Sequence, residues 1–150
     1  MKQNKNWQKG RGKLGFFKPL LGSWVCETDT ERGPLVCSRT FEPFLDNKYI
    51  KLTVIWHFVT SNYEEYCLFG VDKDQQMAFW SFTNDGKQSN GLLTDVSDIH
   101  PQAIGFAAQM PAGFARQFYW PDDQGGFYWA VESKTSKGWN RFVEHHYIKP

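Results

Sequence analysis

The chain has 150 residues, the length of one domain around a single core, which leaves little room for a two-domain enzyme. Aromatic residues make up 17% of it and charged residues 22%, so it has enough apolar surface to offset its ordering entropy and disorder is excluded. Lys and Arg number 17 against 16 Asp and Glu, a formal charge of +1; the balance indicates neither a general polyanion binder nor an acidic solvating protein.

The charge is unevenly placed along the chain. Residues 1–21 carry Lys2, Lys5, Lys9, Arg11, Lys13 and Lys18 with no acid, giving +6, and the remaining 11 basic and 16 acidic residues leave the body at −5. Residues 1–18 read as a flexible basic arm, a solvated tail lying against the acidic body or, through its cations and Trp7, a contact for RNA or a membrane surface. Residues 19–150 read as one β-barrel domain. Between them, Leu14 to Leu21 offers Phe16, Phe17, Leu20 and Leu21 as an apolar side that covers one barrel end, with Pro19 stopping any helix after one turn.

From Ser23 onward, short β-branched and aromatic runs alternate with turn chemistry. The breaks fall at Glu31-Arg32-Gly33-Pro34, Asp46-Asn47, Ser61-Asn62, Asp72-Lys73-Asp74, Thr83 to Lys87, Asp98 to Pro101, Met110-Pro111-Ala112-Gly113, Pro121 to Gly126 and Ser136-Lys137-Gly138, nine in all, delimiting about ten strands. In the run Ile50 to Val59 every even position is apolar, while Lys51, Thr53 and His57 take odd ones, so the period is two. The same alternation groups Phe114, Arg116, Phe118 and Trp120, then Phe127, Trp129 and Val131, then Trp139, Arg141, Val143, His145 and Tyr147. These faces are expected to meet inside an all-β, antiparallel up-and-down barrel, because closure removes exposed strand edges. Cys26, Cys37 and Cys67 form an odd set without CxxC spacing, which argues against a disulfide framework or structural zinc and fits a reducing compartment. No apolar run reaches the ~18–20 residues of a membrane span, and the N-terminus leads into Gly and Lys rather than a signal core, so a cytoplasmic protein is expected.

Pro19-Leu20-Leu21-Gly22-Ser23-Trp24 carries the Gly-x-Trp pattern that opens the first strand of lipocalins, and Arg141 lies on the expected last strand. Phe69-Gly70-Val71-Asp72 through Met77-Ala78-Phe79-Trp80-Ser81-Phe82-Thr83-Asn84-Asp85-Gly86, and the tail from Gly113 through Ser133 to Trp139 and Tyr147, resemble hairpins of a bacterial lipocalin-like family of the calycin superfamily, whose function is uncharacterised. The likeness spans about residues 19–149. It implies an eight- or ten-stranded barrel with a cavity, related to the fatty-acid-binding proteins and nitrobindins, and no particular reaction. It also implies that Gly22, Trp24 and Arg141 close the barrel, the guanidinium stacking on the indole for roughly 0.5–2 kcal/mol. The opening Phe69-Gly70 departs from the family's aromatic-Asp pair, and Cys26 stands where small residues are common.

Arg116 is the first candidate for ligand contact: in a lumen its charge must meet a carboxylate of the protein or an acid group of a ligand. Trp56, Trp80, Phe118 and Trp129 complete the expected binding set, suited to a small apolar or amphipathic, and acidic, molecule. Adjacent His145 and His146 point to opposite faces of a strand, so no two-histidine metal site is expected from them. By the nitrobindin likeness His145 is the alternative haem ligand, a hydrogen-bonded structural histidine being the plainer role. His57 lies on the less apolar face, His100 in a solvent-exposed turn, and Glu64-Glu65 and Asp122-Asp123 read as solvated neighbours. HExxH, GxSxG and phosphate-loop patterns are absent. The expected function is non-catalytic binding without a cofactor; an enzyme with a lumen histidine as acid or base is the competing class. No specific nucleic-acid partner is expected, and a second copy of the chain stays open as one.

Overall fold

A computed structural model describes residues 3–110 and 113–150; Met1 and Lys2 of the arm, and Pro111 and Ala112 of the seventh break, lie outside the described residues. The alternating runs become ten strands: β1 Gly22–Thr30, β2 Gly33–Phe44, β3 Tyr49–Phe58, β4 Asn62–Val71, β5 Met77–Thr83, β6 Gln88–Thr94, β7 Ile104–Met110, β8 Gly113–Pro121, β9 Phe127–Thr135 and β10 Gly138–Tyr147. All nine sequence breaks fall at junctions between them. Each strand pairs antiparallel with the next, giving one ten-stranded up-and-down sheet. It rolls into a nearly closed barrel: among the described residues the one backbone bridge across the closure is that of Val25 and Ile148, just after β10, which exchange hydrogen bonds of 2.9 and 3.0 Å. Among the described residues no helix is long and apolar enough to cross a membrane.

Inside, the even positions of β3 face the lumen as the alternation requires. Ile50, Leu52 and Val54 join Phe41, Phe69, Phe79, Phe106, Tyr119, Phe127 and Tyr147 in a buried core. One barrel end is filled from the N-terminal side. A 3₁₀ turn, Gly15–Leu20, inserts Phe17 and Leu20, both 0% exposed, and the Phe17 ring lies 4.6 Å from Phe69 and 6.3 Å from Phe106. The Trp24 indole N–H donates to the Leu20 carbonyl (2.8 Å), tying this plug to β1. The basic arm is laid along the same end from Asn4 onward. The Gln102 side chain bonds the backbone carbonyls of Asn4 and Trp7, and Trp7 packs 6.4 Å from Phe127.

A second, smaller core sits outside the barrel wall. The loop 95–103 between β6 and β7 folds over β7–β9, burying Val96 with Phe118 and Ala130 against Ile99, Ala103 and Trp120. Gly105 permits this approach, since a Cβ there would come within 2.5 Å of the Val96 side chain.

Candidate functional site

The lumen is not wholly apolar. Along β2, Leu35, Cys37 and Phe41 point inward, and Arg39 shares their parity. Its guanidinium is 1% exposed and stacks 4.0 Å over the Trp129 ring, with Tyr147 and Tyr119 at 5.3 and 5.6 Å. One Nη donates to the Tyr119 hydroxyl (2.8 Å), while Nε has no partner. Among the described residues no carboxylate stands within ion-pair distance of it. Burial pushes the Tyr119 and Tyr147 phenols above their usual range, so both are neutral and neither supplies a counterion. Burial also raises Cys26, Cys67 and, to about 12, Cys37; these are closed-off thiols, Cys26 directly opposite Cys37 in the strand register. The half-buried Glu65 binds the Ser81 hydroxyl.

His145 lies beside this centre, 5% exposed, with its Nδ1 at 3.3 Å from the Tyr147 hydroxyl and its ring 5.1 and 5.3 Å from Trp56 and Trp129. Burial, helped by the nearby charge of Arg39, lowers its pKa from 6.5 to about 4. Native His145 is therefore neutral at pH 7, and the unfolded imidazole takes up a proton first as pH falls. Its stabilising contribution is complete above pH 6.5 and is lost as pH falls toward 4, about 3 kcal/mol in all. Urea unfolding is expected to show a larger drop in midpoint from pH 7 to 4.5 for the native chain than for His145→Phe; equal drops would contradict this.

Away from the plug, a cavity of about 220 Å³ opens between β5 and β10, lined among others by Phe79, Phe106, Ala108, Met110 and Val131 and by the polar Ser89, Gln117 and Arg116; the Arg116 side chain itself turns to the outer wall, toward Asp98 and Glu132. Gln117 accepts the Trp129 indole N–H (3.2 Å), so this cavity is one side chain removed from Arg39. A second opening, about 790 Å³, follows the seam where β1 and β10 diverge, lined by Cys26, Glu27, Thr28, Glu144, His145 and His146 among others.

Of the expected binding residues, Trp56 and Trp129 face the lumen, whereas Arg116, Phe118 and Trp80 do not. On β8 the inward positions are Ala115, Gln117 and Tyr119, in register with Ser133, Val131 and Trp129. Arg116 lies on the outer wall. It grips Asp98 of the loop through two bonds (3.1 and 2.9 Å) and Glu132 through two more (3.0 and 2.7 Å). Phe118, 0% exposed, is buried beneath that loop, and Trp80 packs edge-on to Tyr49, 6.3 Å away, on the outer face. The Trp24–Arg141 stack also gives way. The register between β9 and β10 slips between Arg141 and Val143, a bulge that turns Arg141 outward onto Glu132 (2.9 Å) and Glu144 (2.6 Å) while Val143 and His145 face in. The cation over Trp24 is Lys149, at 3.9 Å, and Gly22 makes room for it: a Cβ there would meet its Nζ at 2.9 Å.

His57 is exposed, while His100, expected in solvent, is buried, its Nδ1 accepting the Gln102 amide at 3.0 Å. Asp122 is buried as well. Burial alone would raise it, but bonds from His146 (2.7 Å) and the Gln124 and Gly126 amides (2.8 Å each) hold it below the usual carboxylate range. Arg39 and Glu65 were missed as lumen residues. The signal for Arg39 was present in its parity with Leu35, Cys37 and Phe41.

Among the described residues no group of three or more His, Cys, Asp and Glu gathers to hold a metal ion. The indoles of Trp56 and Trp129 flank the His145 ring at 5.1 and 5.3 Å, and the opening that His145 lines also carries the charged Glu27, Glu144 and Lys149. No sequence model of a protein family matches this chain, and no curated protein matches it.

Proposed function

We propose that this chain is a lipocalin-like binding protein that takes a compact apolar or amphipathic molecule into the barrel from the end opposite the plug. The observation that carries the reading is the 220 Å³ cavity, walled by Phe79, Phe106 and Val131, with Ser89, Gln117 and Arg116 as the polar residues of its lining. That volume exceeds the ~150 Å³ that accepts benzene and falls short of the ~300–1,000 Å³ of drug-sized sites, so one or two fused rings suit it. Kinship with lipocalins is supported by the sequential ten-stranded barrel, the plug before β1 and the Gly22-x-Trp24 opening that anchors it.

The test is calorimetric titration with a neutral two-ring probe, 1-naphthylmethanol. Saturable binding is expected in the native chain. Ala108→Phe, which puts a ring into the cavity, is expected to weaken it by at least about tenfold at a cost of roughly 1–3 kcal/mol in stability from overpacking. No saturable heat with the native chain, or unchanged affinity in a folded Ala108→Phe variant, would remove the proposal.

A further inference from the structure

We infer that Arg39 is an anion-binding residue, that the seam between β1 and β10 is the way to it, and that the ligand class is a small aromatic monocarboxylate. This site is separate from the apolar cavity and rests on the previous reading only in that the barrel admits small molecules.

The argument starts from what Arg39 lacks. A guanidinium removed from water needs a counterion or a full set of acceptors. Arg39 has one acceptor, the Tyr119 hydroxyl, and an unpartnered Nε. Stacking on Trp129 recovers part of the cost, the neighbouring tyrosines are neutral, and the lumen carboxylate Glu65, held on Ser81, stabilises the cation from beyond ion-pair distance and leaves Nε unpartnered. Such a local conflict marks a functional position more often than a structural one.

The route follows from the incomplete closure. Among the described residues the one backbone bridge across the closure joins Val25 of β1 to Ile148 just after β10, and a groove of about 790 Å³ runs beside it. Cys26 and His145 line it, and both lie close enough to Arg39 to feel its charge. The free Nε and an adjacent Nη form a side-on fork matching a planar carboxylate. Trp56, only partly buried, lies 5.1 Å from the His145 ring that lines the groove and is the aromatic side chain nearest to an incoming ring there. The groove also carries Glu27 and Glu144 with Lys149 as its one lysine; a phosphate or other multiply charged anion is repelled there more strongly than a single negative charge.

Titration calorimetry at pH 7 with 1-naphthoate beside 1-naphthylmethanol tests this. The native chain is expected to bind naphthoate roughly 10- to 100-fold more tightly than the alcohol, as a charged, desolvated hydrogen-bond pair allows. Ala108→Phe is expected to leave naphthoate binding unchanged. Arg39→Met is expected to abolish the preference. Arg39→Lys keeps the charge without the fork and is expected to retain the fold and lose most of the preference; if Arg39→Met does not fold, this variant decides. Thr28→Trp, filling the groove, is expected to slow naphthoate association. Equal affinities of the native chain for the two probes would overturn the inference and leave the cavity reading standing; binding of neither would overturn both. A preference surviving Arg39→Met or, where that variant does not fold, Arg39→Lys would overturn it as well, and so would unchanged association in Thr28→Trp.

Discussion

Glu132→Ala is expected to destabilise the chain by about 3 kcal/mol, roughly 6–12 °C in melting temperature for a chain of this size. Glu132 is 5% exposed and stands between two arginines, accepting from Arg116 at 3.0 and 2.7 Å and from Arg141 at 2.9 Å. Removing it leaves the buried Arg116 with only Asp98, whose own side chain is 58% exposed. The loss is therefore that of a buried charge left half-compensated, far above the value of a surface ion pair. Asp98→Asn is expected to be much milder in melting temperature, because that carboxylate faces water. It does, however, fasten the loop 95–103, so faster amide exchange in that loop is expected from either variant. Circular dichroism melts and hydrogen exchange check both; a Glu132→Ala melting point within 2 °C of the native value, on the order of 1 kcal/mol or less, would show that the arginines find other partners.

Phe17→Ala is expected to be at least as damaging, about 3–5 kcal/mol. The ring is fully buried, 4.6 Å from both Phe16 and Phe69, and nothing else in the 3₁₀ turn can refill the space, since Leu20 already occupies its own site and Pro19 fixes the backbone. Truncation would open the filled end of the barrel to water. Phe16, only half-buried at the edge of the core, supplies the internal comparison, and its replacement by Ala is expected to cost roughly 1 kcal/mol. Equal melting points for the two variants would contradict the role of Phe17 as the plug.

Strand number, order and junctions were legible in the sequence because turn residues and period-two runs are local signals. Ile50 to Phe58 shows the alternation working: one face is apolar, the other is not, and the phase is unambiguous. It fails on β8, where Phe114, Phe118 and Trp120 are aromatic on the outer side and Tyr119 on the inner. Alternation assigns residues to two faces but does not say which face is the lumen, and a loop that covers the outer wall removes the polar contrast that would decide. The same holds for β5, where Phe79, Trp80 and Phe82 flank the inward Ser81. On β10 the error has a different origin. The bulge at Arg141 and Val143 inserts one residue and reverses the phase, and nothing in Trp139-Asn140-Arg141-Phe142-Val143 announces it. Arg39 was legible and overlooked: its neighbours two residues either side, Cys37 and Phe41, are both inward.

The order of pairing along the sheet has a kinetic corollary. Every ladder joins strands adjacent in sequence, so each hairpin closes a short loop and can assemble early. The ring itself depends on one contact between residues almost at opposite ends of the polypeptide, Val25 and Ile148, and that contact carries the largest loop-closure entropy of any backbone pairing. A ribbon of nine finished hairpins that curls shut only in its last step is the folding route this topology favours.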